Sequence, residues 1–160
     1  MKYTLLASLA LTGSAIALAG CSQAETTQEA AEGVDQTGLS VTNARLVLPA
    51  VAGNPAAAYF VVENTGDKNL AIRSASIEGA GSAQIHETVQ MNGEMVMGEM
   101  GPLMLTPGEK ATFEPGGKHV MAFDLDPMLA AGGTTEMTLT VAGGKSMTAD
   151  VAIVAAGDDR

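Results

Sequence analysis

The 160-residue chain is poor in several residue types: it has one cysteine, Cys21, no tryptophan and only two histidines, His86 and His119. A single cysteine excludes an internal disulfide, and its position near the start leaves the rest of the chain without a thiolate to bind metal. A domain built from this sequence must therefore be stable through its core alone. About 120 residues follow the N-terminal segments, enough to bury roughly two thirds of the surface that the unfolded chain exposes.

Basic residues are scarce as well, with 8 Lys and Arg against 18 Asp and Glu, for a net charge of −10. The absence of a basic patch argues against nucleic acid as a partner. Four of the acidic residues lie in "SQAETTQEAAEGVDQTG", which begins at Ser22 and has neither a basic nor an aromatic residue. We expect residues 21–37 to form a flexible, acidic linker.

The most apolar run is short: "LLASLALTGSAIAL" extends from Leu5 to Leu18 and is too brief to span a bilayer comfortably. Lys2 precedes the run, and "LAGC" follows it, ending at Cys21. This order predicts a lipoprotein signal peptide over residues 1–20 and lipidation of Cys21; an ordinary signal peptide is the alternative. We expect a periplasmic protein that is lipid-anchored to a bacterial membrane, with Ser22 weakly favouring the outer membrane.

The remainder, residues 38–156, has the texture of one all-β domain, followed by a short polar tail at 157–160. Runs rich in Val, Ile, Thr and Phe alternate with Gly, Pro and Asn. "AAYFVVEN" from Ala57 and "LAIRSASI" from Leu70 are predicted strands, and Gly143-Gly144 joins two late strands in a hairpin. No amphipathic helix is evident. The pattern favours an antiparallel β-sandwich or barrel.

Methionine is in excess, with ten residues in the chain. The ordinary explanation is that methionine fills gaps in the core, and we expect this for Met128, Met137 and Met147. Another group is concentrated within fourteen residues and needs a different explanation: Met91, Met95, Met97, Met100 and Met104.

The first histidine lies at the start of "HETVQMNGEMVM", where Asn92-Gly93 predicts a two-residue hairpin turn. In that hairpin Thr88 is opposite Met97, and His86 is opposite Glu99. His86 and Met97 then share a face as diagonal neighbours, with Cα atoms roughly 7–8 Å apart.

The second histidine lies in "KHVMAFDL", a predicted strand that places His119 and Met121 on one face. If the two His–Met pairs converge, they form a site of two imidazoles and two thioethers. Thioethers are soft ligands that favour Cu(I), and imidazole also binds Cu(II). Zinc would prefer thiolate or carboxylate beside histidine, and calcium would need oxygen ligands. Taken singly, each of these residues is more often part of a core than a metal ligand.

The four residues follow the spacing H-x10-M-x21-H-x-M, which resembles the signature of the PCu(A)C periplasmic copper chaperones. The stretches "AAAYFVVENTG", "IHE", "LTPG" and "EPGGKHVM" also resemble that family, over about Leu39 to Val154. The resemblance implies a cupredoxin-like fold and one Cu(I) bound by His86, Met97, His119 and Met121. It also implies delivery of copper to cytochrome c oxidase assembly, at the binuclear copper centre of subunit II, directly or with Sco-type proteins. Many members have methionine where this chain has Glu87, and some carry a copper-binding C-terminal tail that "VAAGDDR" does not match.

Other function classes fit less well. An electron-transfer cupredoxin needs a cysteine thiolate on copper, and the one cysteine is at the expected lipid anchor. Two histidines, both assigned to the metal, leave no Ser-His-Asp arrangement, so we expect no enzyme. The alternatives that stay open are a general periplasmic copper-binding or homeostasis lipoprotein and a structural lipoprotein without metal. We expect a monomer whose partner is a copper-accepting protein of respiratory oxidase assembly.

Overall fold

The structure is a computed structural model that describes residues 33–34 and 37–158. The predicted signal peptide, Cys21, most of the predicted linker and the end of the polar tail lie outside these residues. Gly33–Val34 belong to the expected linker, yet they pair with Val41 and Ser40 of the next strand. Regular backbone structure therefore begins before residue 38.

The described part of the chain contains eleven strands and no helix. This part therefore has no helix that could cross a membrane. In chain order they are β1 (Gly33–Val34), β2 (Leu39–Val47), β3 (Ala56–Asn64), β4 (Leu70–Ile77), β5 (Ala80–Met91), β6 (Glu94–Glu99), β7 (Leu103–Leu105), β8 (Lys110–Phe113), β9 (Lys118–Leu125), β10 (Thr134–Val141) and β11 (Ser146–Val154). The all-β prediction is confirmed, and the Gly143-Gly144 hairpin joins β10 to β11 as expected.

The strands are hydrogen-bonded in the order β6-β5-β9-β8-β3-β2-β11-β10-β4-β7, with β1 added beside β2. Strands β2 and β11 run parallel, as do β8 and β9, whereas the other pairs are antiparallel. One hydrophobic cluster takes side chains from both halves of this order, including Val120 of β9 and Leu139 of β10. The sheet must therefore curve so that its two halves cover a common core, as in a β-sandwich.

The core follows the two-residue alternation of strands, most clearly in β3, where every second side chain is buried. Phe60 of β3 and Phe113 of β8 are both part of this core and stack, with ring centroids 4.2 Å apart. Met137 and Met147 are buried as predicted. The expectation for Met128 is wrong: it is 88% exposed, because it lies in the Asp126–Leu129 turn, where its backbone N–H donates to the Asp126 carboxylate.

Two polar contacts shape the loops between strands. Asn64, fully buried at the end of β3, donates from Nδ2 to the carbonyls of Lys68 and Leu105. In the turn before β8, the Glu109 carboxylate accepts hydrogen bonds from the backbone N–H and the hydroxyl of Thr106, each 2.8 Å long. These bonds favour the ionised carboxylate, so they lower the pKa of Glu109 from the ordinary value of 4.5.

Candidate metal centre

The β5–β6 hairpin forms at one edge of the sheet with the predicted turn and register. Asn92 and Gly93 both have positive φ, 53° and 88°, as a tight hairpin turn requires. Thr88 is opposite Met97, and His86 is opposite Glu99. The turn at Asn92-Gly93 therefore places Met97 on the same face as His86, as expected.

Strand β9 pairs with the other side of β5, and this pairing brings the two histidines together. His86 and His119 are direct cross-strand partners, and their ring centroids are 5.9 Å apart. The neighbouring pair, Ile85 and Val120, is buried in the core. Because side chains alternate along a strand, both histidines lie on the outer face of the sheet.

The His119 ring is held in one orientation by the backbone. Its Nδ1 lies 3.0 Å from the carbonyl oxygen of Gly117, which can only accept, so Nδ1 carries the proton. In the neutral ring Nε2 then presents a lone pair, and it lies 3.2 Å from Sδ of Met97. Sulfur and nitrogen both offer electron pairs here, and either a proton or a metal ion between them would make the contact favourable. His119 is only 6% exposed, whereas Met97 is 52% exposed.

The His86 ring has a complementary arrangement. Its Nε2 lies 3.1 Å from Oε1 of Gln84, an acceptor, which places the ring proton on Nε2. The other nitrogen, Nδ1, is buried and has no hydrogen-bond partner in the described residues. A buried nitrogen lone pair without a partner is unusual in a folded protein, and binding a metal would satisfy it.

Met121 is the fourth predicted residue, and it belongs to the next cross-strand pair on the same face of the sheet. It lies two residues beyond His119 on the same face of β9, is partly buried, and is opposite Gln84 of β5. Among the four predicted residues, the side chains of His119 and Met97 are in direct contact. The structure thus brings His86, His119 and Met97 together and places Met121 beside them on the same surface.

The donor set fits a soft metal ion. Within residues 37–158, no group of three or more His, Cys, Asp or Glu side chains is arranged to hold a metal. Zinc and calcium sites usually need such groups, whereas two imidazoles with thioethers suit Cu(I). Glu87, the departure from the resembled family, pairs with Lys118 at 2.7 Å and belongs to the opposite face of β5 from His86.

Three further groups support the histidines, and sequence reasoning missed them all. Gln84 and the Gly117 carbonyl orient the two rings, as second partners of metal-binding histidines do. Tyr59 of β3 lies beside His119, with ring centroids 6.5 Å apart, and the Arg45 guanidinium lies 5.1 Å from the Tyr59 ring centre. Only Gln84 had a sequence signal, since it lies two residues before His86 on one strand.

Comparison with known proteins identifies the family. The family model described as "Putative lipoprotein LpqE-like" matches residues 39–153. The chain is similar to the "Putative lipoprotein Lxx21020" of Leifsonia xyli, at 32% identity over 139 residues, which cover 86% of this chain and 78% of that protein.

Solved structures of the same fold include PCuAC domains, the family that the sequence motif resembles. The apo PCuAC domain from PmoF1 is 30% identical, with a TM-score of 0.62, and the match covers 77% of this chain and 98% of that domain. The copper-bound PCuAC domain from PmoF2 is 24% identical, with a TM-score of 0.60, over 79% of this chain and 97% of that domain. The resemblance to PCu(A)C proteins is confirmed, as is the cupredoxin-like fold that it implied. The chain belongs to the LpqE-like lipoprotein family and has the fold of a PCuAC domain.

Proposed function

We propose that this protein is an extracytoplasmic copper chaperone that binds one Cu(I) through His86, Met97, His119 and Met121. The observation that carries the proposal is the 3.2 Å approach of His119 Nε2 to Met97 Sδ, with Nδ1 of the same ring committed to Gly117. Two soft or intermediate donors aimed at one point, without carboxylates, match the ligand preference of Cu(I). The copper-bound PmoF2 domain has the same fold, and the PCuAC domain from PmoF1 is 30% identical to this chain.

The position of the donors supports release as well as binding. They lie on the outer face of the sheet, on the edge strand β6 and the next two strands, β5 and β9, and Met97 is half exposed. A recipient could therefore approach Met97 without unfolding the core. Thioethers and neutral imidazoles carry no negative charge. When Cu(I) leaves them for a recipient, no attraction between opposite charges has to be overcome, so this electrostatic cost does not oppose transfer.

The recipient we propose is the binuclear copper centre of cytochrome c oxidase subunit II, reached directly or with Sco-type proteins. This assignment rests on the H-x10-M-x21-H-x-M resemblance. A general role in periplasmic copper binding or homeostasis is the second candidate, because the same site would serve it. The two differ in whether copper leaves the protein for a specific acceptor.

Transfer to the acceptor separates these candidates. Cu(I)-loaded protein is mixed without oxygen with the soluble copper domain of subunit II in its metal-free, reduced form, and copper is measured in each protein after separation. We expect copper in the acceptor, at a rate above that of transfer from a Cu(I) chelator of equal affinity. Transfer no faster than from the chelator would contradict specific delivery and favour the homeostasis role.

The anchoring of the protein is proposed from residues outside the described structure. The lipobox ending at Cys21 and the lipoprotein names of the family and of the Leifsonia relative support an extracytoplasmic lipoprotein. Cys21→Ser should remove lipidation and the normal processing of the signal peptide, so the variant should no longer incorporate labelled fatty acid. The copper affinity of the purified variant should match that of wild type, because the donors all lie beyond residue 85. A variant that still incorporates labelled fatty acid would contradict lipidation at Cys21.

A further inference from the structure

The hairpin carries another methionine on the same face as the candidate metal centre. Met95 lies two residues before Met97 on β6, so both side chains leave the strand on the side of His86 and Thr88. Their Cα atoms are separated by roughly 6.5 Å of strand. Met95 is 62% exposed and lies opposite Gln90, near the tip of the hairpin.

The other methionine near the tip has a different orientation. Met91 pairs with Glu94, one residue out of phase with the Gln90–Met95 pair, so its side chain leaves the opposite face of the hairpin. It is exposed to a similar extent, 56%. Besides Met97, the hairpin therefore presents two exposed thioethers of equal chemistry, and of these two only Met95 faces the metal centre.

We propose that Met95 is an outer Cu(I) ligand, which together with Met97 forms a transient position through which the ion enters and leaves the centre. This inference rests on the proposed function and adds a residue that the four-residue motif does not include. The cross-strand neighbours of the two methionines, Thr88 and Gln90, are uncharged and offer only hard oxygen and amide donors. Thioether sulfur is the softer donor on this part of the face, so a Cu(I) ion moving outward from Met97 would bind Met95.

The exchange step needs no other reactant. Copper stays in the +1 state, a bond from the ion to Met95 sulfur forms, and a bond to a histidine nitrogen breaks. The thioether has no proton to lose, and the released imidazole stays neutral, so charge is conserved. Methionine is unbranched and flexible, which lets Met95 and Met97 approach one ion despite their separation along the strand.

The test compares equilibrium binding with release kinetics. Wild type and Met95→Leu are loaded with one equivalent of Cu(I) without oxygen and mixed rapidly with a chromogenic Cu(I) chelator in excess. We expect Met95→Leu to keep the equilibrium affinity within about twofold and to release copper about tenfold more slowly, a change of about 1.4 kcal/mol in barrier. Met91→Leu is the matched control and should behave as wild type in both measurements.

Methyl resonances of methionine give a second readout that does not depend on release. With labelled methionine methyl groups, the Met97 signal should shift at one equivalent of Cu(I), while the Met95 signal should broaden and the Met91 signal should stay unchanged. Leucine is close to methionine in size, and backbone amide spectra of each variant show whether it is folded.

The outcomes separate this inference from the proposed function. Wild type that holds no Cu(I) would overturn both. Wild type that holds Cu(I), with Met95→Leu releasing it at the wild-type rate, would overturn only the outer position. If Met91→Leu slowed copper release as much as Met95→Leu, the effect would be a general property of the hairpin, and the outer position at Met95 would also be overturned. A loss of equilibrium affinity in Met95→Leu as large as in Met97→Leu would make Met95 a resident ligand and contradict a transient one.

Discussion

Nε2 of His119 lies 3.2 Å from Sδ of Met97, although the two residues are 22 positions apart in the sequence. The contact depends on two strand pairings at once, β5 with β6 and β5 with β9. It also depends on Gly117, whose carbonyl oxygen fixes the proton on the far side of the ring.

Replacing the thioethers should affect Cu(I) more than Cu(II), because soft sulfur favours the reduced ion. We expect Met97→Leu and Met121→Leu each to weaken Cu(I) binding by about tenfold or more, equivalent to about 1.4 kcal/mol. Cu(II) affinity should change less in both variants. Competition against separate Cu(I) and Cu(II) chelators measures the two affinities. Equal losses for both ions would show that the sulfur atoms do not select the oxidation state.

Protons should compete with copper at the histidine nitrogens. Metal binding needs the nitrogen lone pair that a proton would otherwise occupy. Cu(I) affinity should therefore weaken as the pH falls from about 8 to about 5, whereas thioethers do not titrate. The double variant His86→Ala with His119→Ala should have weaker binding and a flatter pH dependence. An unchanged slope in that variant, with its folding verified by circular dichroism, would remove the histidines from the site.

Much of the candidate site follows from local sequence rules. The Asn92-Gly93 turn determines the register of its own hairpin, so the positions of Thr88, Met97 and Glu99 could be predicted residue by residue. The strand starting at Lys118 is also found with its predicted bounds. In both cases the information lies within a few residues of the element that it specifies.

The rest depends on contacts between distant segments. No local rule pairs His86 with His119, because the β5–β9 register is set by the shared core residues Ile85 and Val120. Met128 has the same apolar side chain as Met137, yet its turn directs it into solvent. The Gly117 carbonyl has no side-chain signal at all, so its contact with His119 can be known only from the folded chain.

Glu87 should be structural rather than a copper ligand. Its carboxylate pairs with Lys118 and lies on the far side of β5 from His86. Glu87→Gln should leave Cu(I) affinity within about twofold and reduce the free energy of unfolding by about 0.2–1 kcal/mol, as for other partly exposed ion pairs. Chelator competition and urea unfolding measure the two effects. A tenfold loss of Cu(I) affinity would place this carboxylate in the metal centre.

The turn before β8 should contribute to stability in a pH-dependent way. Hydrogen bonds from Thr106 lower the pKa of Glu109 in the folded protein. This stabilisation is fully present above the unfolded pKa and is lost as the pH falls through the lower, folded pKa. Glu109→Gln should therefore be less stable than wild type at about pH 6, and the difference should shrink at about pH 3.

Urea unfolding at the two pH values measures this difference. Glu94→Gln, which removes an exposed carboxylate on the hairpin, is the matched control and should show a smaller change between them. A stability difference for Glu109→Gln that is the same at both pH values would contradict the role of the Thr106 hydrogen bonds.

A competitive titration can show whether His86, Met97, His119 and Met121 form one Cu(I) site on the outer face of the sheet. The purified protein is titrated with Cu(I) without oxygen against a chromogenic chelator of known affinity, and bound copper is counted per chain. We predict one tightly bound Cu(I), with any additional copper ion at Met91, Met95 or Met100 held only weakly and at excess metal. If the protein retained no Cu(I) against the chelator, or bound two ions with equal affinity, these four residues would not form the single Cu(I) site that we propose.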